Sequence, residues 1–214
     1  MQGVDGIFYV IVLIMSVVVH EFAHGYTAYL FGDNTARHSG RLTLNPIKHL
    51  DLFGSIILPL SLIIMNASFI IGWARPVPYN PNNLSHGNIS KFFVSIAGIL
   101  ANLIIAIIFG LVIRFVPFFG IPLYNELGVH PLYAISSIIV FTNLILAFFN
   151  LVPIPPLDGS KILFSILPYK YRYIENFLER WGLFLLILFI FLLWSKVAPL
   201  ILIVFHLLTG LSMV

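Results

Sequence analysis

Apolar runs long enough to cross a lipid bilayer dominate this chain, and they decide what it can fold into. A spanning helix needs about 20 mostly apolar residues. The first run extends from about Ile7 to Leu30 and is uncharged up to Val19. The second is Leu52 to Ile71, the third about Ile89 to Val116, and the fourth about Leu132 to Leu151. A last apolar stretch, Trp181 to Val214, is interrupted by Ser195, Lys196 and Pro199, and reads as one long tilted helix or two short ones. The chain is 60% hydrophobic and 9% charged, against roughly 45–50% and about 25% in soluble domains. Its solvent must be largely lipid. The expectation is an all-α polytopic membrane protein with about five to six transmembrane segments.

No repeat or low-complexity linker divides the chain, so 1–214 reads as a single domain with a core at about 7–167 and a tail at about 181–214. The first run lacks a basic leader and carries polar residues, unlike a cleavable signal peptide. Arg37, Arg41 and Lys48 follow the first span, and Lys161, Lys170, Arg172 and Arg180 follow the fourth. The positive-inside rule places both of those ends in the cytoplasm. The second run then has no partner crossing, and either it or the segment after it must turn back. That segment holds Pro76, Pro78 and Pro81, which forbid a helix and favour extended backbone. Irregular backbone at membrane depth survives only beside protein or a water-filled cavity, so a short extended or re-entrant segment is expected near a functional site. The net charge of +3 is spread over short loops and gives no nucleic-acid footprint. With no cysteine in the chain, disulfides, thiol catalysis and Cys-ligated zinc are excluded.

Within the first span, His20-Glu21-Phe22-Ala23-His24 reads H-E-x-x-H. Positions i and i+4 share one helix face. Two imidazoles there can share a zinc ion, and the intervening glutamate can act as general base. Chance predicts roughly 0.004 such matches in a chain of this composition. Ionisable residues in a span cost at least about 2.5–3.5 kcal/mol each on insertion scales, so three together need a compensating partner. The bland alternative is that they sit at the interface and reach the headgroups.

A catalytic zinc usually has three protein ligands and an open position. Leu30 occupies the place of a third histidine in the longer zincin motif, so the third ligand must come from elsewhere. Asp158 is the best candidate. It follows Pro155-Pro156-Leu157 at the end of the fourth span and precedes Gly159. The alternative is that Asp158 caps the next helix. His38, His49, His86, His130 and His206 are not placed beside a helix break at matching depth.

With these residues in hand, the chain resembles the site-2 proteases, in the compact group without PDZ or CBS domains. The resemblance runs from about His20 to about Lys161. It rests on His20 to Gly25, on Asn150-Leu151-Val152-Pro153-Ile154-Pro155-Pro156-Leu157-Asp158-Gly159, and on Gly98-Ile99-Leu100-Ala101-Asn102. Leu44-Asn45-Pro46 running to Asp51, and Gly72 to Pro78, look like the same group. Ile99 stands where a proline often follows the glycine.

The resemblance implies one zinc ion held by His20, His24 and Asp158, with Glu21 as the base that activates water. Asn150 aligns with an asparagine beside the active site, where it is either a donor to the oxyanion or an interhelical hydrogen bond. Gly98 and Asn102 read as close-packing residues rather than chemical ones. The implied activity is hydrolysis of peptide bonds in or near transmembrane segments of membrane-protein substrates. The setting is a multi-pass protein of a bacterial or archaeal cell membrane, with the active site nearer the cytoplasm. Ser39 to Leu44 and Gly72 to Tyr79 are candidate extended edges for an unwound substrate. The rival readings are a metal transporter, which would spread polar residues along several helices, and a non-proteolytic scaffold, which would not need Glu21. No serine-protease elbow surrounds Ser16, Ser95 or Ser160.

Overall fold

The computed structural model describes residues 3–65, 75–125 and 128–211. In chain order the helices are α1 (Gly3–Leu30), α2 (Thr35–His38), α3 (Leu58–Ile64), α4 (Asn88–Phe115), α5 (Pro131–Asn150), α6 (Asp158–Ile166), α7 (Arg172–Leu192) and α8 (Trp194–Thr209). A two-residue antiparallel strand pair, Tyr124–Asn125 with Gly128–Val129, links α4 to α5. Among the described residues three helices are long and apolar enough to cross a membrane, or four if the bent pair α7–α8 is one span.

The second apolar run departs from a simple span. Its described part is a π-helical turn, Leu52–Ile57, followed by α3. Neither is long enough to cross, and 66–74 lie outside the described residues. The bundle explains why a return is required. Ser85 donates its backbone N–H to Phe31 O, and Leu84 packs with Ala28. The chain after α1 therefore leaves and comes back to the same end of the bundle before α4 begins.

The core is built where α1, α4 and α5 meet. The buried side of α1 is Val12, Ser16, His20, His24 and Ala28. The buried side of α4 is Val94, Gly98, Asn102, Ala106 and Gly110. Both repeat every four residues, the spacing that stacks side chains on one helix face. Mostly small residues let the backbones approach, as they must where lipid gives no hydrophobic push between helices. Farther along α4, Ala106 and Ile113 join Tyr133, Val140, Leu144, Ile201 and Phe205 in an apolar cluster with α5 and α8.

Prolines and caps set the ends. Pro131 opens α5, and His130 Nδ1 accepts from Leu132 N. Pro153, Pro155 and Pro156 prevent α5 from continuing. The tail breaks at Leu193, where α7 and α8 diverge by 67°. Pro199 has no N–H for the Ser195 carbonyl, two residues past that break.

Candidate metal centre

His20 and His24 are carried by the buried face of α1, about 15 Å and about 9 Å of helix before its end at Leu30. Asp158 arrives from a different direction. The chain after α5 turns through the prolines, and α6 begins at Asp158 itself. A side chain on Gly159 would collide with the carbonyls of Leu151 and Val152, so glycine is what lets α6 start this close to the turn. The three side chains meet at 5%, 7% and 6% exposure for His20, His24 and Asp158. Leu157, not Asp158, is the N-cap of α6, and the Asp158 carboxylate pairs with the two histidines and Lys161.

His20 Nε2 and His24 Nε2 each lie 3.0 Å from Asp158 Oδ2, and 3.0 Å from one another. Their other ring nitrogens set the protonation. His24 Nδ1 lies 2.6 Å from Val94 O, which can only accept, so Nδ1 carries the hydrogen. His20 Nδ1 lies 2.9 Å from Asn102 Oδ1, likewise an acceptor. In neutral imidazoles both Nε2 atoms are then bare lone pairs. Two lone pairs and a carboxylate oxygen converge with no proton to share, an arrangement that a cation relieves. Zinc fits the donor set. Tetrahedral ligands bonded at about 2.0–2.1 Å stand about 3.3–3.4 Å apart, close to the triangle seen. The wall of α4 leaves the space open: a Cβ on Gly98 would lie 2.5 Å from His24 Nε2 and 2.6 Å from His20 Nε2.

Two residues join the centre that sequence reasoning did not place there. Asn102, read as a packing residue, orients His20, as hydrogen-bond partners of metal-bound histidines do. Its signal was the Gly98-x-x-x-Asn102 spacing, which puts both on the face that meets α1. Lys161 Nζ lies 2.9 Å from Asp158 Oδ1, leaving Oδ2 toward the histidines. Its signal was the one-turn spacing from Asp158.

Glu21 Oε2 accepts from the backbone N–H of Val77 at 2.9 Å, so the proline-rich segment does lie against the centre. Asn150 Nδ2 donates to Leu146 O within its own helix at 3.0 Å rather than across to another helix. His49 bonds Thr43 O, His130 caps α5, and His206 Nδ1 lies 3.1 Å from Leu211 O. The expected Ser39 to Leu44 edge forms turns and bends rather than strand. A cleft of about 450 Å³ opens beside Lys161, lined also by Tyr79, Lys91, Ser95, Arg172 and Glu179.

Fold and site together define a membrane-helix bundle with a buried His-His-carboxylate cluster that could hold a metal ion. The chain belongs to peptidase family M50, the site-2 protease family, whose metalloproteases use zinc. The family model, "Peptidase family M50", matches residues 119–193. The chain is 43% identical to "Putative zinc metalloprotease YwhC" of Bacillus subtilis, over 88% of this chain and 82% of that one. It is 33% identical to "Putative zinc metalloprotease Rip2" of Mycolicibacterium smegmatis, over 72% of this chain and 56% of that one. With "Zinc metalloprotease MJ0392" of Methanocaldococcus jannaschii the figures are 30%, 78% and 36%. No solved structure matches the chain.

Proposed function

We propose that this protein is an intramembrane zinc metalloprotease that hydrolyses peptide bonds in or near transmembrane segments of membrane-protein substrates. The observation that carries the reading is the buried triangle of His20 and His24, on a helix of membrane-spanning length, with Asp158 at the start of the short α6. Those three side chains would hold one zinc ion. When bound, zinc supplies Lewis-acid polarisation of the attacking water and of the scissile carbonyl. Glu21 accepts the proton as the water oxygen adds to the carbonyl carbon, and it delivers that proton to the amine as the C–N bond breaks. Asn150 serves as oxyanion donor only after its amide turns from the Leu146 carbonyl toward the reacting carbonyl.

A substrate helix hides its carbonyls in hydrogen bonds, so the segment to be cut unwinds before attack. Water reaches the centre through the cleft beside Lys161, whose charged lining suits an aqueous mouth. The basic loops support a mouth on the cytoplasmic side. A transporter would need polar groups spread along a path, whereas the three ligands here lie at one depth.

The test measures zinc content and cleavage of a single-span substrate in the same detergent-purified samples. Wild type should carry about one zinc and cut. Glu21→Gln should keep zinc and lose about 10²–10⁴-fold in rate. Asp158→Ala should lose both. Full zinc occupancy in Asp158→Ala would remove Asp158 from the ligand set.

A further inference from the structure

The general base is gripped by a segment remote in sequence, and the grip has a mechanical design. Glu21 lies between the two metal-ligating histidines, and its partner is the backbone N–H of Val77. Val77 is flanked by Pro76 and Pro78, neither of which has an N–H. Arg75 N is already committed to His49 O at 2.8 Å. From Arg75 to Pro78 the Val77 N–H is thus the one backbone donor left for Glu21, and the proline after Val77 restricts it to extended backbone. These commitments also leave few donors for a substrate strand along this stretch, which argues against it as the pairing edge.

The strap 75–83 is tied down on both sides of Val77. Arg41 Nη1 donates to Pro76 O at 3.0 Å. Asp33, just past the end of α1, accepts from Asn80 N at 2.6 Å and from Asn83 Nδ2 at 2.9 Å. The Val77 side chain is 5% exposed and is seated on Gly25, one residue beyond His24. A Cβ at Gly25 would lie 2.6 Å from Val77 Cγ1 and 3.3 Å from Ala36 Cβ. Only a glycine lets the strap come close enough for its N–H to reach Glu21.

We propose that the strap is the positioning element for the base: the N–H of Val77 aims the Glu21 carboxylate, and Gly25 is the slot that sets the strap's height above α1. The proposal rests on Glu21 acting as the base.

The experiment compares Gly25→Ala with the double variant Gly25→Ala/Val77→Ala, beside wild type and Glu21→Gln, in purified full-length protein. Zinc per chain, kcat and KM for the single-span substrate are read in each. Gly25→Ala should lower kcat by about 10- to 100-fold, the scale of a displacement near 1 Å, with zinc and KM unchanged. Val77→Ala removes Cγ1 but keeps the N–H, so in the double variant it should restore most of the lost kcat. Wild-type kcat in Gly25→Ala, loss of its zinc, or a double variant no better than the single would each overturn the strap's role. Those outcomes leave the base in place as long as Glu21→Gln stays inactive. Wild-type cleavage by Glu21→Gln would instead remove the base itself.

Discussion

The first half of α4 faces two imidazoles and holds one of them with an amide, while the second half of the same helix faces alkyl and aromatic groups. With the division drawn just past Asn102, Gly98 and Asn102 belong to the first half, Ala106, Gly110 and Ile113 to the second. Both halves use small residues for close approach, yet for different ends. At Gly98 the space stays open beside the two imidazole Nε2 atoms. At Gly110 it lets Leu208 of α8 pack, with a would-be Cβ 2.9 Å from Leu208 Cβ. In the metal half a lost atom leaves a buried polar group without its partner, which costs the full desolvation of that group. In the apolar half a lost atom costs only packing contacts. One half should therefore fail in chemistry before stability, the other in stability before chemistry.

The sharpest way to break this contrast is Gly98→Ala. Its added methyl fills the position between the histidines and α4, so zinc content and cleavage should both be lost while the helices stay folded by circular dichroism. Retained zinc would mean that the close approach of α4 is only packing. Next in size is Asn102→Leu, which leaves His20 Nδ1 without its acceptor. Zinc affinity should weaken by about 10- to 100-fold, read by competition with a chelator. An unchanged affinity would show that the ring is held by packing alone.

Smaller effects belong to the apolar half. Leu144→Ala removes a fully buried side chain and should cost about 2 kcal/mol, seen as a lower unfolding midpoint in detergent. Zinc content and kcat below that midpoint should not move. A change in kcat would show that the two halves are mechanically coupled.

The smallest effect is expected from pH at the strap's anchor. Burial tends to raise the Asp33 pKa, but hydrogen bonds from Thr35, Asn83 and the Asn80 backbone outweigh it and hold the carboxyl below its ordinary 3.8. A depressed folded pKa stabilises fully above the unfolded value and is lost as pH falls through the folded one. The stability gap between wild type and Asp33→Asn should therefore stay constant from pH 8 to pH 5 and shrink below about pH 4. A gap that changed between pH 5 and 8 would assign the anchoring to another group.

Much of the metal half was legible in the sequence because its constraints are local or chemically rare. His20, Glu21 and His24 lie within one and a half turns of one helix, so spacing alone puts both ligands on a face. Asp158 could be found because a carboxylate beside prolines at a span's end is uncommon. Asn102 was misread because its role depends on which residue of α1 stands opposite, and period-four spacing on α4 says nothing about register against another helix. The tail offered two readings, and the break at Leu193 decides for two helices. For Val77 the sequence pointed to the proline-rich segment but not to its contact with Glu21, since the group that matters is a backbone N–H, identical in every residue but proline. The side chains at Gly25 and Val77 become informative only once they face each other.

The sequence by itself determined that the chain lives in lipid, that any metal donors must be histidine and carboxylate rather than cysteine, and that the 52–83 region could not be a plain crossing. These follow from hydropathy, donor chemistry and the parity of charged loops, each of which is additive along the chain. The tertiary structure decided which oxygen of Asp158 meets the histidines, which amide orients His20, and which N–H holds Glu21. Those are relations between segments 56 to 138 residues apart. They are fixed by close packing of small residues, and a one-dimensional pattern carries no record of them.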